Sequence, residues 1–450
     1  MTKVNTSTSM PKTNVLVKQL KKLPSLNKLK SPFLHLNFGT SNGDLLLATK
    51  PIIEFAYYGK DPQAYLELVD EAIAFLQTKF TKINSENQQT NLPIGLYGYF
   101  SYEFGQQLYD INAHIIDKAP LANWFIPEII YQQSSQGTQK IKISLSNNDH
   151  KLLNQLKEKL SAINANPAEH IQLPSADQAK SKQTNTVLTP QISTQEYKTQ
   201  LQKIFDLLKS GETYEVNFAQ SFIGHPSKNP ISLYTKLNKI NPVEYSGLYQ
   251  SSSHSIISNS PELLITKQNN RLITEPIKGT IDIKENPELI LNNPKQNCEL
   301  NMIIDLSRND LAKISQPGTV KVEITRAIKK LKHLFQGYSR ISAQAKPNLK
   351  TSEIIKAIFP GGSVTGCPKK RTMQIINKTE KLPRGNYCGS MGYIHHNQNL
   401  KLNIMIRTLT NNSNSCYYHA GGAIIIDSDP NSEYAETLLK TKTIQKALNQ

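Results

Sequence analysis

No stretch of the chain reaches the roughly 18 consecutive apolar residues that a membrane-spanning helix needs, so no membrane partner is expected. The N-terminus lacks the apolar core of a secretory signal. Four cysteines are present, Cys298, Cys367, Cys388 and Cys416, with no Cys-x-x-Cys pair among them. Their spacing argues against a zinc site or a disulfide framework and favours a reducing, cytoplasmic setting. Residues 1–30 contain seven lysines but no arginine and no acid. A transit peptide is expected to carry arginine, so this segment reads as a basic tail. Across the chain, 52 basic and 35 acidic residues leave a net charge of +17. No basic stripe is interleaved with aromatics and no nucleic-acid motif occurs. The excess reads as lysine on solvated faces, with no nucleic-acid partner.

What is present suits a globular chain. With 450 residues, 38% hydrophobic and 19% charged, it can bury a sizeable core in one large or two medium domains. Residues 164–192 are polar with several prolines and read as a linker or exposed excursion between a region 31–163 and a region 193–450. Apolar runs at Leu45–Leu47, Pro93–Phe100 and Lys140–Leu145, with a helical pattern near 63–80, mark the first region. Ser193 and Glu196 form a capping box before Tyr197, Leu201, Ile204, Phe205 and Leu208 at helical spacing, and Gly211 stops that helix. Strands and helices follow in mixed order without βαβ alternation, which predicts an α+β fold with a mostly antiparallel sheet.

Three segments carry candidate chemistry. The loop Pro360–Lys369 is glycine-rich and runs into a helix holding Met373, Ile375 and Ile376, a place for an anion or simply a tight turn. Gly361 and Gly366 have Walker A spacing, but Cys367-Pro368 stands where Lys-Ser/Thr is required. Next, Glu299 shares a helical face with Met302, Ile303 and Leu306, and a carboxylate on an apolar face needs a partner or a cation. Glu433 and Glu436 lie three apart on a C-terminal helix. Oxygen ligands from two helices suit Mg²⁺, while ion pairs of Glu436 with Lys440 and of Glu299 with an arginine are the plain alternative. Last, Glu262 and Lys278 flank a hairpin signal at Asn269-Asn270-Arg271, which can bring an acid and an amine together. A lysine is a nucleophile only where burial or a nearby cation lowers its pKa.

Taken together, SPELL, PIKGT, CELNMIIDLSRNDL, PGGSVTGCPKKRTMQII, RGNYCGSMGYI, IRTL, AGGAIIIDSDP and EYAETLLK resemble, in order, the motifs of the chorismate-utilising enzymes. They cover about residues 211–443, roughly half the chain. The resemblance implies a two-layer α+β fold with a large antiparallel sheet and helices packed outside it. In the branch that adds water, a lysine stands where this chain has Glu215 in YEVNF, and the anthranilate-forming branch has alanine in place of Lys278. PIKGT with Asn217 resembles the branch that aminates carbon 4 of chorismate, giving 4-amino-4-deoxychorismate on the way to 4-aminobenzoate and folate. That resemblance implies Mg²⁺ on Glu299 and Glu436 with Glu433 nearby, Lys278 as nucleophile, Glu262 as general acid and His333 as the active-site histidine. Thr365, Gly366, Tyr387, Arg407, Gly421, Gly422 and Lys440 match substrate contacts. Glu215 replaces an expected glutamine, CELN a common AEN, and TGCPKK a common TGAPK. The chain carries no glutaminase signature, so ammonia is expected from a separate glutamine amidotransferase subunit.

Overall fold

The structure is a computed structural model. It describes residues 2–4, 14–20, 22–29, 31–38, 45–86, 93–116, 118–134, 137–173, 187–292, 294–330 and 334–449. Its local elements follow from local rules. Ser193 caps Thr194–Lys209 in a reciprocal box with Glu196, and Tyr197, Leu201, Ile204, Phe205 and Leu208 are the buried face. Gly211 follows at φ +76°, a left-handed turn that glycine adopts without strain. The expected hairpin forms as Leu263–Gln268 paired with Arg271–Glu275 across Asn269, which sits at φ +54°.

Among the described residues, twenty-one strands join one sheet, and a separate parallel pair links His114–Ile116 to Glu169–Ile171. This is an α+β fold built on a large antiparallel sheet. Its root is the long strand Ala122–Ser134, which pairs with Leu45–Tyr57 on one side. On the other side it pairs with Gly95–Phe100 and then with Gly137–Ser144. Two arms leave this root. One runs through Phe33–Asn37, Tyr245–Gln250, His254–Ser260, Thr408–Asn412 and Cys416–Ile424 to Glu215–Gly224. The other runs through Ser390–His395, Leu400–Asn403, Leu263–Gln268, Arg271–Glu275 and Leu334–Gln344 to Ile277–Asp282 and Lys321–Lys330.

The arms pack face to face. A Cβ on Gly247 of the first arm would lie 2.4 Å from Met391 Sδ of the second, so only glycine admits that approach. The chain crosses between arms at Pro261-Glu262 and at Ile404–Arg407, and hydrogen bonds tie the crossings together. Ile404 N donates to Glu262 O at 3.0 Å, and Asn259 N donates to Arg407 O at 3.2 Å. The segment 1–30 differs from the expected tail. Asn14–Leu20 pairs with Gly137–Ser144 on one side and Thr2–Val4 on the other, its alternating Val15 and Val17 suiting a strand, and Leu23, Leu26 and Leu29 pack on a core cluster. Of the expected linker, residues 174–186 lie outside the described residues, while Thr189–Pro190 adds to the sheet.

One buried cation fastens the first arm to the glycine-rich loop. Arg384 is 1% exposed and pairs with Glu380 at 2.6 Å. It also donates to Val364 O at 2.7 Å and to Asn217 O at 2.6 Å. Its guanidinium lies 4.7 Å from the Tyr102 ring and 5.6 Å from the Tyr387 ring. Breaking a buried pair from one side strands the other charge. Arg384→Met is therefore expected to cost about 3–5 kcal/mol in urea unfolding, and the double variant with Glu380→Gln less than the two single losses combined.

Candidate active site

Glu262 occupies the first crossing between the arms and is 4% exposed. Ser363, in the glycine-rich loop, donates its hydroxyl to Glu262 Oε1 at 2.7 Å. Burial pushes the Glu262 carboxyl up to about 7, against the opposing influence of Ser363, Lys278, the Ile277 amide and Arg407. A carboxylic acid that holds its proton near neutrality is suited to general-acid work. A pocket of about 390 Å³ has Glu262, Ser363, Thr274 and Ile303 on its wall. A smaller one of about 210 Å³ is lined by Lys278, Asn297 and Tyr338.

Lys278 lies on Ile277–Asp282, at the end of the second arm, and its Nζ meets Glu299 Oε2 at 2.8 Å. Glu299 is 5% exposed on the helix Pro294–Ile314. Burial acts to lower the Lys278 amine, but Glu215, Glu299 and Glu436 together outweigh it and hold the amine above its ordinary value. This reverses the lowered lysine that nucleophilic chemistry requires. The physical reason is the number of acids around one amine. Glu215, at the end of the first arm, is 1% exposed and is pushed up to about 7 by burial, with Lys278 opposing and Glu299 adding to the rise.

Glu433 and Glu436 lie on Pro430–Leu448, where Asp429 caps the first turn. Glu433 is buried, whereas the Glu436 side chain is 49% exposed and pairs with Lys440 at 2.6 Å. Both plain alternatives to metal binding are thus occupied, with Lys278 rather than an arginine on Glu299. A Cβ on Gly422 would lie 3.4 Å from Glu433 Oε2, 3.6 Å from Glu436 Oε1 and 3.8 Å from Lys440 Nζ, so these groups converge on one glycine. Lys440 also donates to Gly421 O at 2.6 Å.

The remaining expected contacts gather on the same side. Arg407, at the second crossing, has φ +50°, a strained setting for a non-glycine residue. Burial lowers its guanidinium, Tyr418 and Glu262 act to raise it, and it forms no ion pair with a described carboxylate. Tyr387 is buried and stacks on His419 with ring centroids 5.5 Å apart. Thr365 is fully buried and donates its hydroxyl to Gly361 O at 2.9 Å, so that hydroxyl holds the loop. Gly366 has φ +135°, and a Cβ there would lie 2.1 Å from Glu215 O. The loop helix begins at Lys369 with Pro368 as its cap, and Lys369 pairs with buried Asp310 at 2.6 Å. His333 lies outside the described residues. Ser363 and Arg384 were not singled out from sequence. Arg384 had a signal, since Glu380 stands four residues before it.

Residues 32–446 match the family described as chorismate binding enzyme. The chain belongs to that family. It is 36% identical over 255 residues to aminodeoxychorismate synthase component 1 of Bacillus subtilis, covering 55% of this chain and 54% of that one. It is 33% identical over 257 residues to an anthranilate synthase component 1 of Haloarcula marismortui, covering 56% and 53%. The chain thus matches about half the length of these curated relatives. Among solved structures, the fold matches anthranilate synthase component I of Streptococcus pneumoniae with a TM-score of 0.72 at 24% identity, over 94% of this chain and 95% of that one. It matches the menaquinone-specific isochorismate synthase of Escherichia coli with a TM-score of 0.73 at 17% identity, over 98% and 95%. No helix among the described residues is long and apolar enough to cross a membrane.

Whether this chorismate binding enzyme can hold a divalent cation is tested by its charges. Glu215, Glu299 and Glu436 act together on Lys278, Glu433 and Glu436 approach Gly422 beside Lys440, and buried Glu215 Oε2 accepts no hydrogen bond among the described residues. Among the described residues, no three His, Cys, Asp or Glu side chains are close enough to form a metal site by themselves. Mg²⁺ keeps several waters and needs only one or two carboxylates beside substrate oxygens, so the residues fit it as an open site. The raised Glu262 carboxyl has a consequence for stability. A folded value above the ordinary 4.5 favours folding below that value and loses its contribution as pH rises through about 7. Glu262→Gln is expected to match the wild type in thermal or urea unfolding at pH 4. By pH 8 it should be more stable by up to about 3 kcal/mol, which equal stability at both pH values would contradict.

Proposed function

We propose that this chain is aminodeoxychorismate synthase component I. It would aminate chorismate with ammonia to 4-amino-4-deoxychorismate, in 4-aminobenzoate and folate synthesis, in the cytoplasm. The observation that carries the reading is Lys278 of PIKGT, within ion-pair distance of Glu299 and electrostatically coupled to Glu262. Relatives named aminodeoxychorismate synthase component 1 support it, and their component numbering supports a separate glutamine amidotransferase as ammonia source.

Each residue then has a task. Arg407 offers a half-buried cation that forms no ion pair with a described carboxylate, suited to a substrate carboxylate. Gly366 and Gly421 let the loop and strand pack against the backbone at Glu215 and Phe218, and Gly422 lies beside Glu433, Glu436 and Lys440. Glu299 and Glu436, with Glu433 nearby, would hold Mg²⁺. When bound, Mg²⁺ neutralises the ring carboxylate of chorismate and draws electron density from the ring. With Glu299 and Glu436 holding the cation, burial would outweigh the remaining influence of Glu215 on the Lys278 amine and lower it toward a nucleophile. The Lys278 nitrogen, as the free amine, bonds to carbon 2, the two conjugated ring double bonds shift in turn, and the carbon 4 hydroxyl leaves as water with the proton from Glu262. Ammonia then bonds to carbon 4, both double bonds return, the bond from carbon 2 to the lysine breaks to restore the amine, and the proton shed by the new nitrogen returns to Glu262.

Purified protein given chorismate, Mg²⁺ and ammonium is expected to form 4-amino-4-deoxychorismate, which a pyruvate-eliminating lyase converts to 4-aminobenzoate. EDTA is expected to stop turnover reversibly. Anthranilate as the main product would favour the activity named for the Haloarcula relative, and isochorismate that named for the Escherichia coli structure. Lys278→Ala tests the covalent role. It is expected to lower turnover by about 100-fold or more and to shift residual product from the 4-amino toward the 2-amino isomer, read by chromatography against standards. An unchanged product ratio would leave Lys278 as an electrostatic group.

A further inference from the structure

Glu215 and Asn217 stand two apart on the strand Glu215–Gly224, so their side chains share one face. Both are buried, at 1% and 8% exposure. The Asn217 amide nitrogen donates to Ser363 O at 3.3 Å, and the Ser363 hydroxyl donates to Glu262. Glu215 in turn is coupled to Lys278 by charge. The shared face is therefore bracketed by the acid and the amine of the site. On it, Glu215 Oε2 and Asn217 Oδ1 both lack a hydrogen-bond partner.

Both atoms are acceptors. Lys278, the ammonium coupled to this carboxylate, is engaged with Glu299. Buried acceptors without donors are rare in folded proteins, and a pair on one face of a site marks where a ligand brings donors. The ligand must be small, carry several polar hydrogens and tolerate a neighbouring carboxylate. Ammonium meets all three conditions, with four N–H bonds and a positive charge. Chorismate does not, since its carboxylates would meet Glu215 as like charges.

We propose that Glu215 Oε2 and Asn217 Oδ1 form the receiving site for the nitrogen nucleophile, accepting the N–H bonds of ammonium while Glu215 takes one of its protons. This rests on the amination reading above. In the transfer one N–H bond breaks and one O–H bond forms on Glu215. Carboxylate plus ammonium becomes carboxylic acid plus ammonia, with no change in total charge and no redox partner. The nitrogen lone pair is thereby freed for bonding to the ring. Burial, which pushes the Glu215 carboxyl up to about 7, makes it a better proton acceptor than an exposed glutamate.

The test varies ammonium at saturating chorismate and Mg²⁺ in wild type, Glu215→Gln, Glu215→Asp and Asn217→Ala, with thermal unfolding followed in parallel. Glu215→Gln is expected to raise KM for ammonium about tenfold or more while leaving KM for chorismate within about twofold. Its melting temperature is expected to equal or exceed that of the wild type, because a buried carboxylate is removed. Asn217→Ala is expected to raise the ammonium KM several-fold, and Glu215→Asp, which keeps the charge, to fall between wild type and Glu215→Gln. An unchanged ammonium KM in Glu215→Gln overturns the proposal while leaving amination standing. So does a loss of melting temperature with both KM values rising together, the mark of a structural role. Wild-type protein that forms no aminated product at any ammonium concentration overturns the amination reading, and this proposal with it.

Discussion

Arg384 is the cation on which the site's geometry hangs. It is almost fully buried, and desolvation alone would disfavour its charge, yet Glu380 and two carbonyls satisfy it. Those carbonyls belong to Val364 in the glycine-rich loop and Asn217 in the terminal strand of the first arm. A guanidinium suits this position because its planar fork donates in several fixed directions at once, which an ammonium does not match. The same group is in cation–π contact with Tyr102 and Tyr387, so one residue sets the loop, the strand and a wall of the site.

Around that anchor, topology concentrates chemistry at the seams of the sheet. Glu262 and Arg407 occupy two crossings where the chain leaves one arm for the other, and Glu215 and Lys278 stand on strands near the far ends of the two arms. Crossings interrupt regular pairing, so side chains there are held by neighbouring hydrogen bonds and can point into the space between arms. The positive φ of Arg407 is part of that interruption. Glycines at 366 and 421 let the chain pack tightly on the strand Glu215–Gly224, because a Cβ at either would meet its backbone.

Electrostatics, more than shape, distinguish the residues' roles. Two glutamates, Glu215 and Glu262, are pushed up to about 7 chiefly by burial. Lys278 is half-buried but moves the other way from expectation, because three acids act on one amine. An acid that keeps its proton and an amine that keeps its own are one charge rearrangement from the pair that displacement chemistry requires.

Much of this was legible in the sequence where the interaction is local. The capping box at Ser193, the helix face from Tyr197 to Leu208 and the turn at Asn269 depend on residues a few positions apart. The order of motifs from SPELL to EYAETLLK was enough to place the chain in its family and its sheet in an α+β class. The sequence also named Glu262, Lys278 and Glu299. It did not reveal that Ser363 holds Glu262, that Arg384 joins three segments, or that Asn14–Leu20 continues the sheet rather than hanging free. Nor did it show which amine each carboxylate meets or which groups hold their protons. Those outcomes depend on desolvation and on charges brought together from distant parts of the chain, such as Glu215, Lys278, Glu299 and Glu436. Only the closed sheet fixes their separations, so the order of motifs pointed to the candidate groups while tertiary structure decided which charges meet.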